Sequence, residues 1–583
     1  MIIEGCDVPL CDTIRPENEE NCFPYSFKEK KKELLPKGWQ KTLRSRPLPS
    51  ELIYEVNEEM RHSDGVKIYY GICRPNTVEK VPALLALSPY GKGGINGFLN
   101  YELLPYRVGV QEEMLSGLEK FESVDPAEWV SRGYAVVNVD IRGSWDSEGD
   151  LYIEGMAADL PNVFQGRDAA EIVEHVAALP WCSGSIGMQG NSWLAAVQWS
   201  TAVVAPPALK AIAPWEGFTD KYREVACRGG IADATFLNLI YNGTFRGRSK
   251  REDIFAAAQK WPLINPYWED KVIKTEKITI PIYAVTSYSS GIHGYGTIQG
   301  FRKAKSKKKW LRIHATQEWF DIYRKDMTDE LQAFFDRYLK GVENDWEKTD
   351  PVRVSILTCG DRFGPTEYKK LYLTKDNLSL YHPPASGITS YQSDDRSSAV
   401  ELVYTFNTTT TLMGFSKAKL WLSCDDTDDM DIHLSLRKVS KSGRVLDHIN
   451  IPWSAIPRND STHDDVVSTN VIKSTGPHGL LRVSHRAVDR SKQDSIMPYH
   501  PHEKIEKVQP GEIVPVEIGI WPIGLKLYEG EGLMLRVRGS KDAYWEIPNL
   551  QKSTIFGINK GKHHIHFGGM YDSYVAVPFI PNV

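Results

Sequence analysis

From about residue 66 the chain alternates short apolar runs with segments whose apolar residues recur at helical spacing. "VKIYYGICRP" (66–75), "PALLALSPY" (82–90) and "YAVVNVDIRG" (134–143) read as strands, the last two with the near-continuous apolar character of buried sheet. "FQGRDAAEIVEHVAAL" (164–179) spaces its apolar residues for a helix, and "SIGMQG", "SWLAAVQWSTAVV" and "ALKAIAPW" come next as strand, helix and strand. Such alternation predicts an α/β protein with a parallel, doubly wound sheet. Between about 217 and 275 the strands give way to segments such as "ADATFLNLIYNGTF" and "REDIFAAAQKW", which predict a helical cap inserted into that core. The alternation returns with "IPIYAVTSYSS" (280–290), "KKWLRIHA" (308–315) and the amphipathic "DELQAFFDRYLKG" (329–341). After about 350, "AKLWLSC", "DIHLSLRKVS", "VPVEIGIWPI" and "LMLRVRGS" are short, alternating and turn-bounded, which predicts an all-β sandwich or jelly roll over 351–583. The expected division is therefore an arm (1–50), a core in two parts (51–216 and 276–350), the cap (217–275) and the jelly roll. The polar, proline-punctuated arm is expected to wrap the surface of the folded body.

Composition narrows the function classes. With 583 residues, 41% of them hydrophobic, the chain can bury large cores and is too long for one ordinary domain. A net charge of −5 and a pI near 6.3 give no electrostatic reason to expect nucleic acid, and the one basic run, "RKAKSKKKW" (302–310), reads as a solvated loop. No run of about 18 apolar residues is present to cross a membrane, and "MIIEGCDVPLCDTIRPENEEN" lacks the basic start and apolar middle of a signal peptide, so a cytoplasmic protein is expected. Eight cysteines with no C-x-x-C pair fit free thiols; Cys6, Cys11 and Cys22 are near enough in sequence to link, but a reduced arm is the plainer reading. No cofactor is expected, because no G-x-G-x-x-G or Walker motif follows a strand. His564 and His566 share one face of a strand but lack a third ligand, and "DDTDDMD" (425–431) lacks the glycine and terminal glutamate of a calcium loop, so no metal is expected either.

The chemistry centres on "GMQGNSWLAA" (187–196). A strand, Gly190-Asn191-Ser192 and a helix form the order that a nucleophile elbow needs, in which a tight turn lifts the serine hydroxyl above the sheet and sets the N–H of Trp193 at a helix N-terminus. The strict G-x-S-x-G pattern fails at Leu194, and a G-x-S before a helix serves equally well as an N-cap. Taken alone, the motif leaves both roles open.

The neighbouring segments add to it. "SPYGKGG" (88–94), "DIRGSWDSEGD" (140–150), "ALPWCSGSIGMQGNSWLAAVQW" (178–199) and "LKAIAPWEGFTDKYRE" (209–224) resemble, in order and spacing, the cocaine-esterase-like hydrolases and their Xaa-Pro dipeptidyl-peptidase relatives. "DDMDIHLSLRKVSKSGR" (428–444) and "PGEIVPVEIGIWPIGLKLYEGEGLMLRV" look like that family's jelly roll, so the resemblance covers roughly 50–583. It implies an α/β-hydrolase core with a helical cap and a jelly roll, Ser192 as nucleophile, and an oxyanion hole formed by the Tyr90 hydroxyl and the Trp193 N–H.

The rest of the relay departs from the family pattern. Where the family carries an aspartate before glycine, after "IPIYAVTSYS", this chain has Ser290, and where the family's histidine stands, after the last strand, Glu318 falls. His314, at the end of "KKWLRIH", is the first candidate for the base and His293 the alternative; Ser290, Glu318 and Asp321 are the candidates for its partner. Trp215, Tyr288 and Trp319 are expected near the site, where cleft-facing aromatics favour a bulky apolar group. The resemblance thus implies a serine hydrolase acting on a small-molecule ester, with an amide second because the long N-terminal region of the lactococcal-type peptidases is missing. The absent aspartate raises the alternative of a relative repurposed in small-molecule biosynthesis for acyl transfer, carbon–carbon cleavage or cyclisation. A homo-oligomer is compatible with either.

Overall fold

The computed structural model describes the chain except residues 1, 4, 18–28, 93–100, 154–164, 234–236, 289, 358–365, 457–461, 470, 495, 541–556 and 581–583; Cys22 and the last two glycines of "SPYGKGG" lie outside the described residues. Among the described residues ten strands form the central sheet: β1 (Lys31–Leu35), β2 (Leu52–Arg61), β3 (Lys67–Pro75), β4 (Val81–Ser88), β5 (Ala135–Asp140), β6 (Cys182–Asn191), β7 (Leu209–Trp215), β8 (Ile282–Ser287), β9 (Lys309–His314) and β10 (Val352–Val354). Their spatial order is β10-β9-β8-β7-β6-β4-β5-β3-β2-β1. From β4 to β10 every pairing is parallel, as the alternation with helices predicts. β1, β2 and β3 add an antiparallel flank, because β2 and β3 are joined by a short turn rather than a crossover helix.

The sheet is covered on both faces. α1 (Gln165–Ala177) and α2 (Trp193–Val204) pack side by side so closely that a Cβ on Gly166 would lie 2.8 Å from the Ser200 carbonyl oxygen. On the other face α4 (Lys325–Leu339), which follows α3 (Gly294–Lys303), presses Phe335 and Leu339 onto β6, where a Cβ on Gly187 would come within 2.8 Å of both side chains. Close packing of this kind explains why the strand leading to Ser192 is rich in small residues.

The insertion after β7 holds short helical segments, among them Lys221–Ala226, Ile254–Lys260 and Pro266–Asp270. It also carries a short strand, Lys250–Glu252, that pairs antiparallel with Leu10–Asp12 of the N-terminal arm. Among the described residues the C-terminal region is a sandwich of a seven-stranded and a five-stranded sheet around its own core, including Leu420, Leu434, Ile518 and Val537. The six described cysteines are all free thiols. Among the described residues no helix is long and apolar enough to cross a membrane. The basic run is not a loop throughout: Arg302 and Lys303 close α3, and Lys309 opens β9 while its ammonium caps the carbonyls of Phe301 and Ala304.

Candidate active site

Asn191, Trp215, Ser287 and His314 end four adjacent parallel strands on one edge of the sheet, the edge where open α/β sheets place their ligands. Ser192 follows β6 with φ 56° and ψ −116°, a conformation that costs an L residue on the order of 1–3 kcal/mol and persists only where its surroundings impose it. Here they do. The Ser192 N–H donates to the carbonyls of Trp215 and Glu216, and Gly190, at φ 123°, admits no side chain because a Cβ would lie 2.7 Å from Leu194. Ser192 stands at the N-cap position of α2 but its hydroxyl makes no cap bond to the helix. Its neighbour Trp193 opens the helix with a backbone N–H that has no intrahelical acceptor.

The Ser192 hydroxyl lies 3.0 Å from His293 Nε2. His293 sits in the loop after β8, directly before α3, and its other nitrogen, Nδ1, is 3.1 Å from Glu318 Oε2 and 2.7 Å from Ser290 Oγ. Phe218 of the cap stacks on the imidazole at 16° between planes, which fixes the ring's tilt. Glu318 begins a one-turn helix after β9 that is capped by the Gln317 side chain, and the Gln317 N–H donates to Asn450 of the jelly roll at 2.7 Å. The C-terminal region thereby anchors the loop that carries the carboxylate.

His314 does not reach Ser192. Its Nε2 is 3.2 Å from Glu216 Oε1 and its Nδ1 forms an ion pair with Asp321, so both nitrogens are occupied in a pocket where all three side chains are almost fully buried. The expectation that His314 faces the serine is corrected for this reason, and Asp321 serves His314, not the histidine beside Ser192. Burial alone would lower His314, but Asp321 and then Glu216 outweigh it and lift the imidazole to about 9, so it is a cation at neutral pH. Thr286 donates to Glu216 at 2.9 Å, and Arg324 and Thr316 donate to Asp321 at 2.8 Å and 2.6 Å.

A further buried carboxyl, Glu122, stands at the site without any signal in the sequence. Its Oε1 accepts from the Trp319 indole at 3.1 Å and its carbonyl accepts from the Asn191 N–H. Burial, then the charge on Glu318, raise Glu122 well above the usual carboxylate range. Only its placement in the fold reveals it, since a glutamate in "LEKFES" carries no motif.

Tyr90 is buried with its ring edge-on to Phe121 and tilted against Phe245, and Phe245 in turn meets Trp193 at 5.1 Å, so the tyrosine stands on the nucleophile's side of the sheet edge. Its loop is pinned by Lys92, whose ammonium pairs with Asp140 and Asp146, both at 2.7 Å. Of the three aromatics expected at the site, only Tyr288 lines the open cleft beside the relay, together with Ser290, Ile292 and Glu318 of the core, Arg228 of the cap and Trp521 of the jelly roll. Trp215 points the other way, into the core under α4 against Tyr283. Trp319 is buried on Phe121 and holds Glu122. Both are corrected from pocket to packing: alternate residues of a strand face opposite sides of the sheet, and Trp215 falls on the far one.

Comparison with known proteins agrees with the fold. The family profile described as X-Pro dipeptidyl-peptidase (S15 family) matches residues 64–259, and that of the X-Pro dipeptidyl-peptidase C-terminal non-catalytic domain matches 344–576. Cocaine esterase from Rhodococcus sp. (strain MB1 Bresler) is 32% identical over 160 residues, 27% of this chain and 23% of that protein. A putative serine esterase from Mycobacterium bovis is 37% identical over 110 residues, 19% of this chain and 17% of that protein, so the matched stretches span less than a quarter of either curated relative. An α-amino acid ester hydrolase, 16% identical with a TM-score of 0.65 over 90% of this chain and 96% of that one, shares the fold. The crystal structure of a CocE/NonD family hydrolase from Staphylococcus aureus is 32% identical, covers 91% of this chain and 94% of that one, and superposes with a TM-score of 0.79. An α/β-hydrolase core, a cap, a C-terminal jelly roll and whole-length similarity at this level place the chain in the CocE/NonD family of hydrolases.

Proposed function

We propose that this protein is a serine hydrolase that cleaves an ester bond of a small molecule through an acyl-enzyme, with Ser192 as nucleophile, His293 as base and Glu318 as the acid that orients it. The observation that carries this reading is the unbroken chain from Ser192 Oγ to His293 Nε2 at 3.0 Å and from His293 Nδ1 to Glu318 Oε2 at 3.1 Å, behind a serine in a strained turn. Neutral His293 with its proton on Nδ1 donates to Glu318, which leaves the Nε2 lone pair to accept the serine proton as Oγ attacks the ester carbonyl. The tetrahedral oxyanion is received by the Trp193 N–H and the Tyr90 hydroxyl, and removing one such donor costs about 3 kcal/mol of barrier. His293 then protonates the leaving alcohol, and water, activated by the same nitrogen, releases the acyl group.

The relay is exchanged relative to the family pattern read from the sequence. The histidine follows β8, where an aspartate is expected, and the carboxylate follows β9, where the histidine is expected. Both loops overhang the end of β6, and the chemistry needs only that nucleophile, base and acid stand in line. Glu318 offers the carboxylate whose absence from its usual place raised the alternative of a repurposed, non-hydrolytic enzyme, and this supports hydrolysis over that alternative. Ester-cleaving relatives, cocaine esterase among them, support an ester over an amide. The test is labelling by a fluorophosphonate with the adduct mapped to Ser192, alongside hydrolysis of a panel of p-nitrophenyl esters. Labelling that needs His293 and survives His314→Gln supports the assignment, whereas labelling that needs His314 and not His293 refutes it.

A further inference from the structure

One donor atom each from Glu216, His293 and Glu318 lies within 4.8 Å of the other two. His293 Nδ1 and Glu318 Oε2 are already 3.1 Å apart, close to the ligand spacing of roughly 3.4 Å around a tetrahedral ion with bonds near 2.1 Å. Glu216 needs only a small shift to close the set and can keep its bond to His314, since each carboxylate oxygen has a second lone pair. Two independent features favour a cation there. Glu122 Oε2 is buried without a hydrogen-bond partner and lies close enough to Glu318 and Glu216 to feel both, so even with His314 paired to Glu216 the cluster holds more carboxyl groups than cations. The cleft also reaches one of the three ligands: Glu318 lines it together with Ser287, Ser290 and Gln317, and its free volume of about 60 Å³ admits a small hydrated ion.

We infer that Glu216, His293 and Glu318 form an inhibitory site for a zinc-like divalent cation, entered from the cleft. One imidazole and two carboxylates with room for water suit zinc or cobalt rather than magnesium or calcium, which prefer six or more oxygen ligands. The inhibition arises from proton placement and rests on the proposed role of His293 as base; the binding does not. When the metal takes the Nδ1 lone pair, the neutral ring keeps one proton, which moves from Nδ1 to Nε2. The ring then donates to Ser192 Oγ instead of accepting from it, and Glu318 is held by the metal.

The test is a Co2+ titration of the Ser192→Ala variant, which retains all three ligands, read by visible absorption. The expected result is a ligand-field band of low coordination number that saturates at a single equivalent and is displaced by Zn2+. The band is lost in His293→Gln and its affinity falls at least about tenfold in Glu216→Gln, an isosteric change that tests the site even if the histidine variant unfolds. In the wild-type protein Zn2+ suppresses fluorophosphonate labelling, a chelator restores it, and Mg2+ has no effect. Absence of the band, or a band unchanged in both ligand variants, overturns the inference. A band that obeys this pattern in a wild-type protein inert to the fluorophosphonate leaves the metal site standing and refutes the hydrolase reading instead.

Discussion

Two histidines end up side by side at the edge of one sheet, each held by carboxylates, and they are chemically opposite. His293 has one carboxylate and two hydroxyls around it: Glu318 and Ser290 share Nδ1, and Ser192 takes Nε2. His314 has a carboxylate on each nitrogen, Asp321 and Glu216, so both nitrogens must carry protons to satisfy them. An imidazole with two anionic partners is a fixed cation and cannot accept a third proton. Proximity of a histidine to acids therefore does not make it a base; what matters is that one nitrogen meets a group with a proton to give.

The sharpest way to break this contrast is to exchange the fates of the two rings. Ser192→Ala or His293→Gln is expected to lower kcat/KM for any ester substrate by about 10⁴-fold or more, while His314→Gln stays within about tenfold of wild type, because only the first two remove a member of the relay. The second contrast compares the acids. Glu318→Gln is expected to cost about 10³–10⁴-fold in kcat with little change in Tm, as the amide presents the wrong partner to Nδ1, whereas Asp321→Asn should leave kcat nearly untouched. Stability is expected to reverse that order: His314→Gln leaves Glu216 buried without its cationic partner and Asp321 with Arg324 alone, and should destabilise the fold by about 3 kcal/mol, read by chemical denaturation. The smallest effect is on pH. His314 rises from an ordinary 6.5 to about 9 on folding, so its contribution to stability is complete below pH 6.5 and disappears as the pH climbs through about 9. The stability of the wild type should fall across that window by more than that of His314→Gln; parallel profiles would mean that His314 is neutral in the folded protein.

Much of the fold is legible in the pattern of residues. β4 and β5 are buried almost throughout and mostly apolar, with Ser88, Asn138 and Asp140 as exceptions, because helices cover both faces of a parallel sheet, and alternation returns in the jelly roll. The antiparallel flank is not legible, since a strand's direction depends on its connection and partner and not on its composition. At the site, Ser192 can be read because an elbow is local: strand, small residues and helix within ten positions. The Trp193 N–H comes with it, whereas Tyr90, far from the elbow in sequence, is implied only by the family resemblance. The base cannot be ranked the same way. His293 and His314 both follow apolar strands, and nothing in "SGIHGYG" or "RIHATQEW" shows that the first loop folds over β6 while the second histidine turns inward to Asp321. Trp215 and Trp319 read as pocket residues in the sequence because an aromatic near a motif looks alike whether it faces the cleft or the core.

By itself, then, the order of residues determined the class of fold, the three-part organisation and the elbow at Ser192, since each depends on periodicity or on steric demands within one short segment. Only the tertiary structure decided which of two histidines meets the serine, which carboxylate meets that histidine, and that Glu122 and Glu216 stand behind them. Those pairings join residues up to 197 positions apart through loops whose course is set by packing against the cap and the jelly roll, and hydrogen bonds across such distances leave no periodic trace in sequence.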